Sequence, residues 1–210
     1  MTDMRQAPDA PPRRRSDGEA THAAILAAAM RLASVEGLAS LTIGRLAGEL
    51  GVSKSGVFAH FRSKQRLQLE TIAAAGEVFE REVLRPGLEE APGVARLQAL
   101  CEAYLSYIER GVFPGGCFFA QLLAEYDAQS GVIHEQVSAD HHGWLQLLAG
   151  EVRAAQHLGE LDGDVDPLQL AFELSAPVEL ANYLSVLFRD GTHVERGRRA
   201  VRDRIVRAGV

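Results

Sequence analysis

Residues 53–60 bring together side chains suited to holding a polyanion. Ser53 stands where a short helix would begin, and Lys54, Ser55, Gly56, Phe58, Ala59 and His60 follow it. The first amides of a helix lack intrahelical acceptors, and its dipole favours negative charge, so a hydroxyl placed there can bind phosphate. Helical spacing puts Lys54, Ser55, Phe58 and Ala59 on the outer face, with Gly56 and His60 at its edges. Small residues allow a helix to enter a DNA major groove, and Lys and His reach phosphates or base acceptors there.

Other chemistry-bearing residues lie downstream. Tyr107, Phe113, Cys117, Phe118, Phe119, Leu122, Trp144, Phe172 and Tyr183 supply large surfaces at helical spacing, as do Tyr104 and Leu147. Such a set either fills a core or lines a pocket between helices. As a pocket it would take a small, mainly apolar or aromatic effector, with Tyr, Trp, Cys117 and Asn182 as polar handles. Cys117 reads as a sensing thiol or as a buried structural one. His134, His141 and His142 lie near one another but lack a carboxylate or Cys at ligand spacing, so they read as a solvated face and no metal site is assigned. No Gly-rich phosphate loop, nucleophile elbow or catalytic carboxylate pair occurs. The expectation is therefore no enzyme and no cofactor.

Charge separates the chain into two parts. Residues 1–66 hold 10 Lys+Arg against 6 Asp+Glu, a net +4; residues 67–210 hold 12 against 22, a net −10. A basic first third on an acidic remainder points to a polyanionic partner for the first third. Two cysteines make no disulfide framework, which suits a cytoplasmic protein. Arg13-Arg14-Arg15 before an apolar run imitates a signal peptide, but the run is short and Arg31 interrupts it. No stretch of about 18 apolar residues exists to span a membrane.

The elements that position these residues are all helical, with no sustained two-residue alternation. Residues 1–15 read as a disordered arm whose three arginines could reach a groove or stay solvated. Ser16 and Glu19 form a capping box for a first helix ending at Gly37. Ile25, Ala29, Leu32 and Ala33 share one of its faces. Thr42 starts a second helix with Ile43, Leu46, Ala47 and Leu50 as an apolar stripe. Gly51 permits a tight turn, and Val52, Val57 and Phe61 complete the shared core. Ser63 caps a fourth helix that Pro86 and Gly87 close. Further helices are expected over residues 94–110, 116–127, 132–157, 167–189 and 194–207. Asp166-Pro167 starts one of these and a Thr192–Glu195 capping box another. Residues 172–188 are apolar nearly all round, so that helix is expected to be buried on two sides, with Pro177 kinking it. With the stripe Val194, Gly197, Val201, Ile205 and Ala208 it reads as a four-helix interface between two copies of the chain.

Residues 42–64, TIGRLAGELGVSKSGVFAHFRSK, with the preceding helix from Ala24 to Gly37, resemble the tetracycline-repressor (TetR) family over about residues 20–70. Beyond these the likeness is one of helix count and size. The resemblance implies an all-α homodimer: a helix-turn-helix DNA-binding domain over 16–63 and an effector-binding and dimerisation domain over 64–210. Effector binding would release double-stranded operator DNA. The alternative is an activator of the same fold, or a regulator not gated by a small molecule. By resemblance Thr42 supplies a phosphate-contacting hydroxyl, Ser53, Lys54, Ser55 and Gly56 the groove-entering start of a recognition helix, His60 a backbone approach, and Lys64 a phosphate-binding lysine. Phe58 stands where tyrosine is usual, which removes a hydroxyl–phosphate bond; its ring would pack on a thymine methyl or on the first helix. Ala59 stands where a larger aromatic or His is common, which puts that contact in doubt.

Overall fold

The computed structural model describes residues 13–210, and side chains from residue 18 onward. The helices are α1 Arg13–Glu36, α2 Ile43–Leu50, α3 Lys54–Phe61, α4 Lys64–Phe79, α5 Arg85–Leu88, α6 Val94–Glu109, α7 Phe118–Tyr126, α8 Val132–His157, α9 Pro167–Phe188 and α10 Thr192–Ala208. Among the described residues the only β pairing is an isolated bridge between Leu161 and Gly209. The disordered arm lies outside the described residues over 1–12. At 13–15 it is corrected, because α1 begins at Arg13 and passes through the supposed capping box at Ser16. Arginine is a good helix former, and a serine caps only where the chain leaves helical geometry.

Helices α1 to α3 form a small head. Ile25, Ala29, Leu38, Leu41, Leu46, Ala47, Val57 and Phe61 are buried in it. Thr42 and Ser53 cap α2 and α3, accepting bonds from the Arg45 and Gly56 amides at 3.1 Å each. Gly51 ends α2 at φ 65°, a left-handed value that glycine adopts without strain, and the Val52 amide then donates to the Ala47 carbonyl at 3.1 Å. Val52 departs from expectation: it is 49% exposed. The αL turn that reverses the chain points its side chain outward, and Leu38 and Leu41 fill the core instead.

The remaining helices form the body. Pro86 does not close the fourth helix. The chain runs from α4 through a π-helical turn, Glu80–Leu84, into α5, with the Arg85 amide donating to the Glu80 carbonyl. A proline ring crowds the carbonyl four residues back, and the widened turn relieves that crowding. Asp166 caps α9 as expected, accepting from the Leu168 and Gln169 amides at 2.8 and 3.1 Å. Thr192 does not cap α10. It lies inside the first turn, and the Asp190 carboxylate accepts from its amide at 2.9 Å. Pro177 lies inside α9.

The stripe on α10 is also corrected. Val194, Gly197, Val201, Ile205 and Ala208 are buried within their own chain. Arg198 and Arg204 fasten the same helix to glutamates of α6 and α9. Several large apolar side chains of α9 stay exposed, namely Leu168, Phe172, Leu180, Leu187 and Phe188, as does Val206 of α10. One side of a helix apolar all round has therefore been spent on the domain core, and the other faces out.

Candidate functional site

The first candidate surface is the outer face of α3. Lys54, Ser55, Gly56 and Ala59 are exposed, and Phe58 is 52% exposed. Val57 and Phe61 anchor the opposite side with no exposure. Phe58 is thus turned away from α1. Ser53 and Ser55 share a hydrogen bond between their hydroxyls at 3.1 Å. Lys54 folds across the start of α2: a β-carbon built on Gly44 would lie 3.6 Å from its Nζ and 4.0 Å from the Thr42 hydroxyl. An ammonium and a hydroxyl therefore converge beside two helix N-termini, an arrangement that suits phosphate. His60 is half-buried, its ring 5.7 Å from that of His22 on α1. His22 in turn stacks on Phe61 at 4.8 Å and bonds Glu70 of α4 at 2.8 Å. Lys64 is exposed and donates to the Ala39 carbonyl, leaving two further ammonium protons for another acceptor.

The second candidate is a cavity of about 320 Å³ between α4, α6, α7, α8 and α9. Its walls include Phe79, Leu84, Tyr104, Phe119, Val137, Trp144 and Leu147, with Asp140, His141 and Glu179 as polar groups. Phe79 is the hub of the aromatic wall, its centroid 5.3, 5.7 and 5.8 Å from those of Tyr104, Phe119 and Trp144. The Trp144 indole donates to Ser175 Oγ at 3.0 Å, and Ser175 donates to Glu179 at 3.2 Å. His141 approaches the same Glu179 oxygen at 3.3 Å. Asp140 accepts from the Gln136 amide at 2.9 Å, and burial raises its carboxyl above the usual carboxylate range.

Of the nine residues expected around an effector, Phe119 and Trp144 line this cavity. Tyr107, Phe113, Cys117, Phe118 and Leu122 are buried in the core and do not line it. Tyr183 is half-buried and donates to the Ala120 carbonyl at 2.7 Å. Phe172 is a correction: at 59% exposure it stands on the outer face of α9, because the inward positions there belong to Leu170, Ala171 and Leu174. Cys117 is fully buried. Tyr104 donates to its sulfur at 3.0 Å, and burial pushes the thiol pKa up, which disfavours the reactive thiolate. The three histidines have different partners: His134 bonds the Tyr126 carbonyl, His141 faces Glu179, and His142 is exposed. Among the described residues no group of three or more His, Cys, Asp or Glu is placed to hold a metal ion.

Sequence reasoning missed Phe79, Leu84, Asp140 and Glu179. A usable signal existed on α8, where Val137, Asp140, His141, Trp144 and Leu147 recur at three- and four-residue steps around the tryptophan. For Phe79 and Glu179 no local signal pointed to a cavity.

Several contacts between head and body cluster at residues 34–39. Glu125 of α7 accepts from the amides of Leu38 and Ala39 at 2.7 and 2.6 Å. Gln68 of α4 donates to the Leu38 carbonyl at 2.8 Å. Just before α7, the Gly115 amide donates to Ser34 Oγ at 3.4 Å. A β-carbon on Gly115 would lie 1.7 Å from the Ser34 carbonyl oxygen, so glycine is required where the two backbones meet.

Residues 25–71 match the family described as bacterial regulatory proteins, tetR family, and residues 93–201 match the tetracyclin repressor-like, C-terminal domain. Among solved structures, a TetR transcriptional regulator from Chloroflexus aurantiacus is 25% identical, with a TM-score of 0.85 over 92% of this chain and 98% of that one. A Saccharomonospora viridis protein solved in complex with choline is 26% identical, with a TM-score of 0.69 over 88% and 95% of the two chains. AibR, solved with isovaleryl coenzyme A and operator DNA, shares the fold at 24% identity, with a TM-score of 0.64 over 77% and 85%. A comparison with curated proteins finds no match.

Proposed function

The chain belongs to the tetR family of bacterial regulatory proteins, and from that premise we propose that it is a cytoplasmic, homodimeric repressor released from its operator by a small, mainly apolar effector. The observation that carries this reading is the double attachment of the 38–39 link. Helices α4 and α7 both line the cavity, through Phe79 and Phe119, and both hold this link, through Gln68 and Glu125. An occupant that parts Phe79 from Phe119 pulls on the backbone joining α1 to α2. It thereby tilts α3 against the groove. Such a device is a coupling free energy between two sites, and a ligand shifts it only by binding the two states unequally.

Two roles follow for the head. Lys54, Ser55, Gly56 and Phe58 enter the major groove, with the Phe58 ring toward a base methyl because it faces outward. Thr42, Ser53, His60 and Lys64 hold the flanking phosphates. The exposed stripe Leu168, Phe172, Leu180 and Leu187 on α9 supports a second copy of the chain as its cover, since a stripe of this length left in water invites association. A two-fold axis there would present two α3 helices to two half-sites. The Saccharomonospora viridis protein, solved in complex with choline, supports a small organic molecule as the effector.

A gel shift on DNA flanking the gene, followed by a screen for compounds that undo the shift, tests the proposal. Saturable, salt-sensitive binding to one duplex, reversed by a compound that also perturbs Trp144 fluorescence, is the expected result. Failure to bind any flanking duplex at low salt would overturn the operator assignment. An operator complex that no cavity-occupying compound weakens would overturn the gating.

A further inference from the structure

We infer that the effector cavity is built for an organic cation, an ammonium on an apolar or aromatic body, with the positive charge held by Asp140 and Glu179 inside the aromatic wall of Phe79, Tyr104 and Trp144. The inference rests on the cavity being the effector site and adds the charge of its occupant.

Charge composition carries it. The lining contains two carboxylates and one histidine, and no Lys or Arg. Asp140 has the neutral Gln136 amide as its partner, and among the described residues no cation is paired with it. Glu179 is met on a single oxygen, Oε1, by His141 and Ser175, which leaves Oε2 free of both. These acids stand in a cavity whose other walls are largely rings and aliphatic side chains.

Each class of occupant has a different consequence there. An anion meets two carboxylates with only His141 beside them to offset their charge. A neutral apolar molecule strips water from the carboxylate oxygens that Gln136, Ser175 and His141 leave unmet and returns nothing, which is costly. An ammonium replaces the lost water with charge–charge attraction, and aromatic rings within about 6 Å add to it through their negative faces. Burial raises the Asp140 carboxyl, and a neighbouring cation would favour its charged form.

The position of the acids also orients the guest. Asp140 lies on α8, one turn before Trp144, and Glu179 is joined to the Trp144 indole through Ser175. Glu179 is thus tied to the ring by hydrogen bonds, and Asp140 precedes it by one turn of the same helix. The apolar body of the guest has Leu84, Phe119 and Leu147 among the remaining walls to pack against.

Trp144 is the sole tryptophan of the chain, so its fluorescence reports occupancy directly. The test titrates the full-length protein with benzyltrimethylammonium, with its neutral isostere neopentylbenzene, and with the anion phenylmethanesulfonate. The ammonium should bind about tenfold or more tightly than either of the others. Asp140→Asn and Glu179→Gln should each erode that preference and together abolish it, while the affinity for neopentylbenzene holds or rises. Retained circular dichroism and melting temperature show that the variants fold. Equal or tighter binding of the neutral or anionic probe, preference unchanged in the double variant, or no binding of any probe overturns the inference. A parallel gel shift keeps the two claims apart. An operator complex with no charge preference sinks the cation site alone, and a clear preference in a protein that binds no duplex sinks the regulator reading alone.

Discussion

The head of α1 to α3 and the body of α4 to α10 use the same helix-on-helix packing but put their candidate functional residues on opposite sides of it. In the head the apolar residues turn in and the polar ones out, so the face offered to DNA is what the core does not need. Val57 and Phe61 anchor α3, and Ser53, Lys54, Ser55, Gly56, Phe58 and Ala59 remain exposed. In the body the candidate residues turn inward, and the cavity is a place where five helices fail to close. A surface site can be set by one short segment. A cavity needs side chains from residues 79 to 179 at once. The head can therefore hold its chemistry while the body varies, and the link at 34–39 is where the two must agree.

The largest effect should come from breaking the head alone. Phe61→Ala removes a fully buried ring from a three-helix core, at about 3–5 kcal/mol. Operator binding should vanish in a gel shift while Trp144 still responds to a cavity probe. Loss of both would show that head and body fold as one unit.

Next in size is the outer face of α9. Leu187 is 70% exposed in the single chain. Leu187→Glu should leave the melting temperature of the monomer nearly unchanged and shift sedimentation from dimer to monomer. Operator affinity should then fall by about 100-fold or more, because the second head no longer binds intramolecularly. A dimer persisting at micromolar concentration would place the interface elsewhere.

Smaller again is the effect on coupling. Glu125→Ala frees the amides of Leu38 and Ala39 from α7. Effector affinity at Trp144 should change little, but the effector's effect on operator affinity should fall from roughly 5–150-fold toward none. An undiminished response would mean that the signal travels by Gly115–Ser34 or by α4.

The smallest change is expected at Lys64. If it touches only phosphate, Lys64→Ala should weaken all duplexes evenly and reduce the salt slope by about 1. Lys54→Ala should weaken the operator more than unrelated DNA. An unchanged slope for Lys64 would confine it to its bond with the Ala39 carbonyl, a structural tie between body and head.

Much of the head was open to reading from the chain itself. Thr42, Gly51 and Ser53 act within four residues of themselves, through capping and a left-handed turn, and local rules govern such contacts. The helical class, the punctuation at Asp166 and the apolar surplus of α9 came from periodicity and composition alone. Tertiary packing decided the rest. It placed Phe172 outside and Phe79 inside, sent the α10 stripe into its own core, and carried α4 through a π turn at Pro86. It also set Asp140 and Glu179 against one cavity and Glu125 against the head, pairings between residues 39 and 87 positions apart. Periodicity tells which face of a helix is apolar. It is silent on which neighbour covers that face, because the answer depends on helices whose spacing along the chain carries no record of their distance in space.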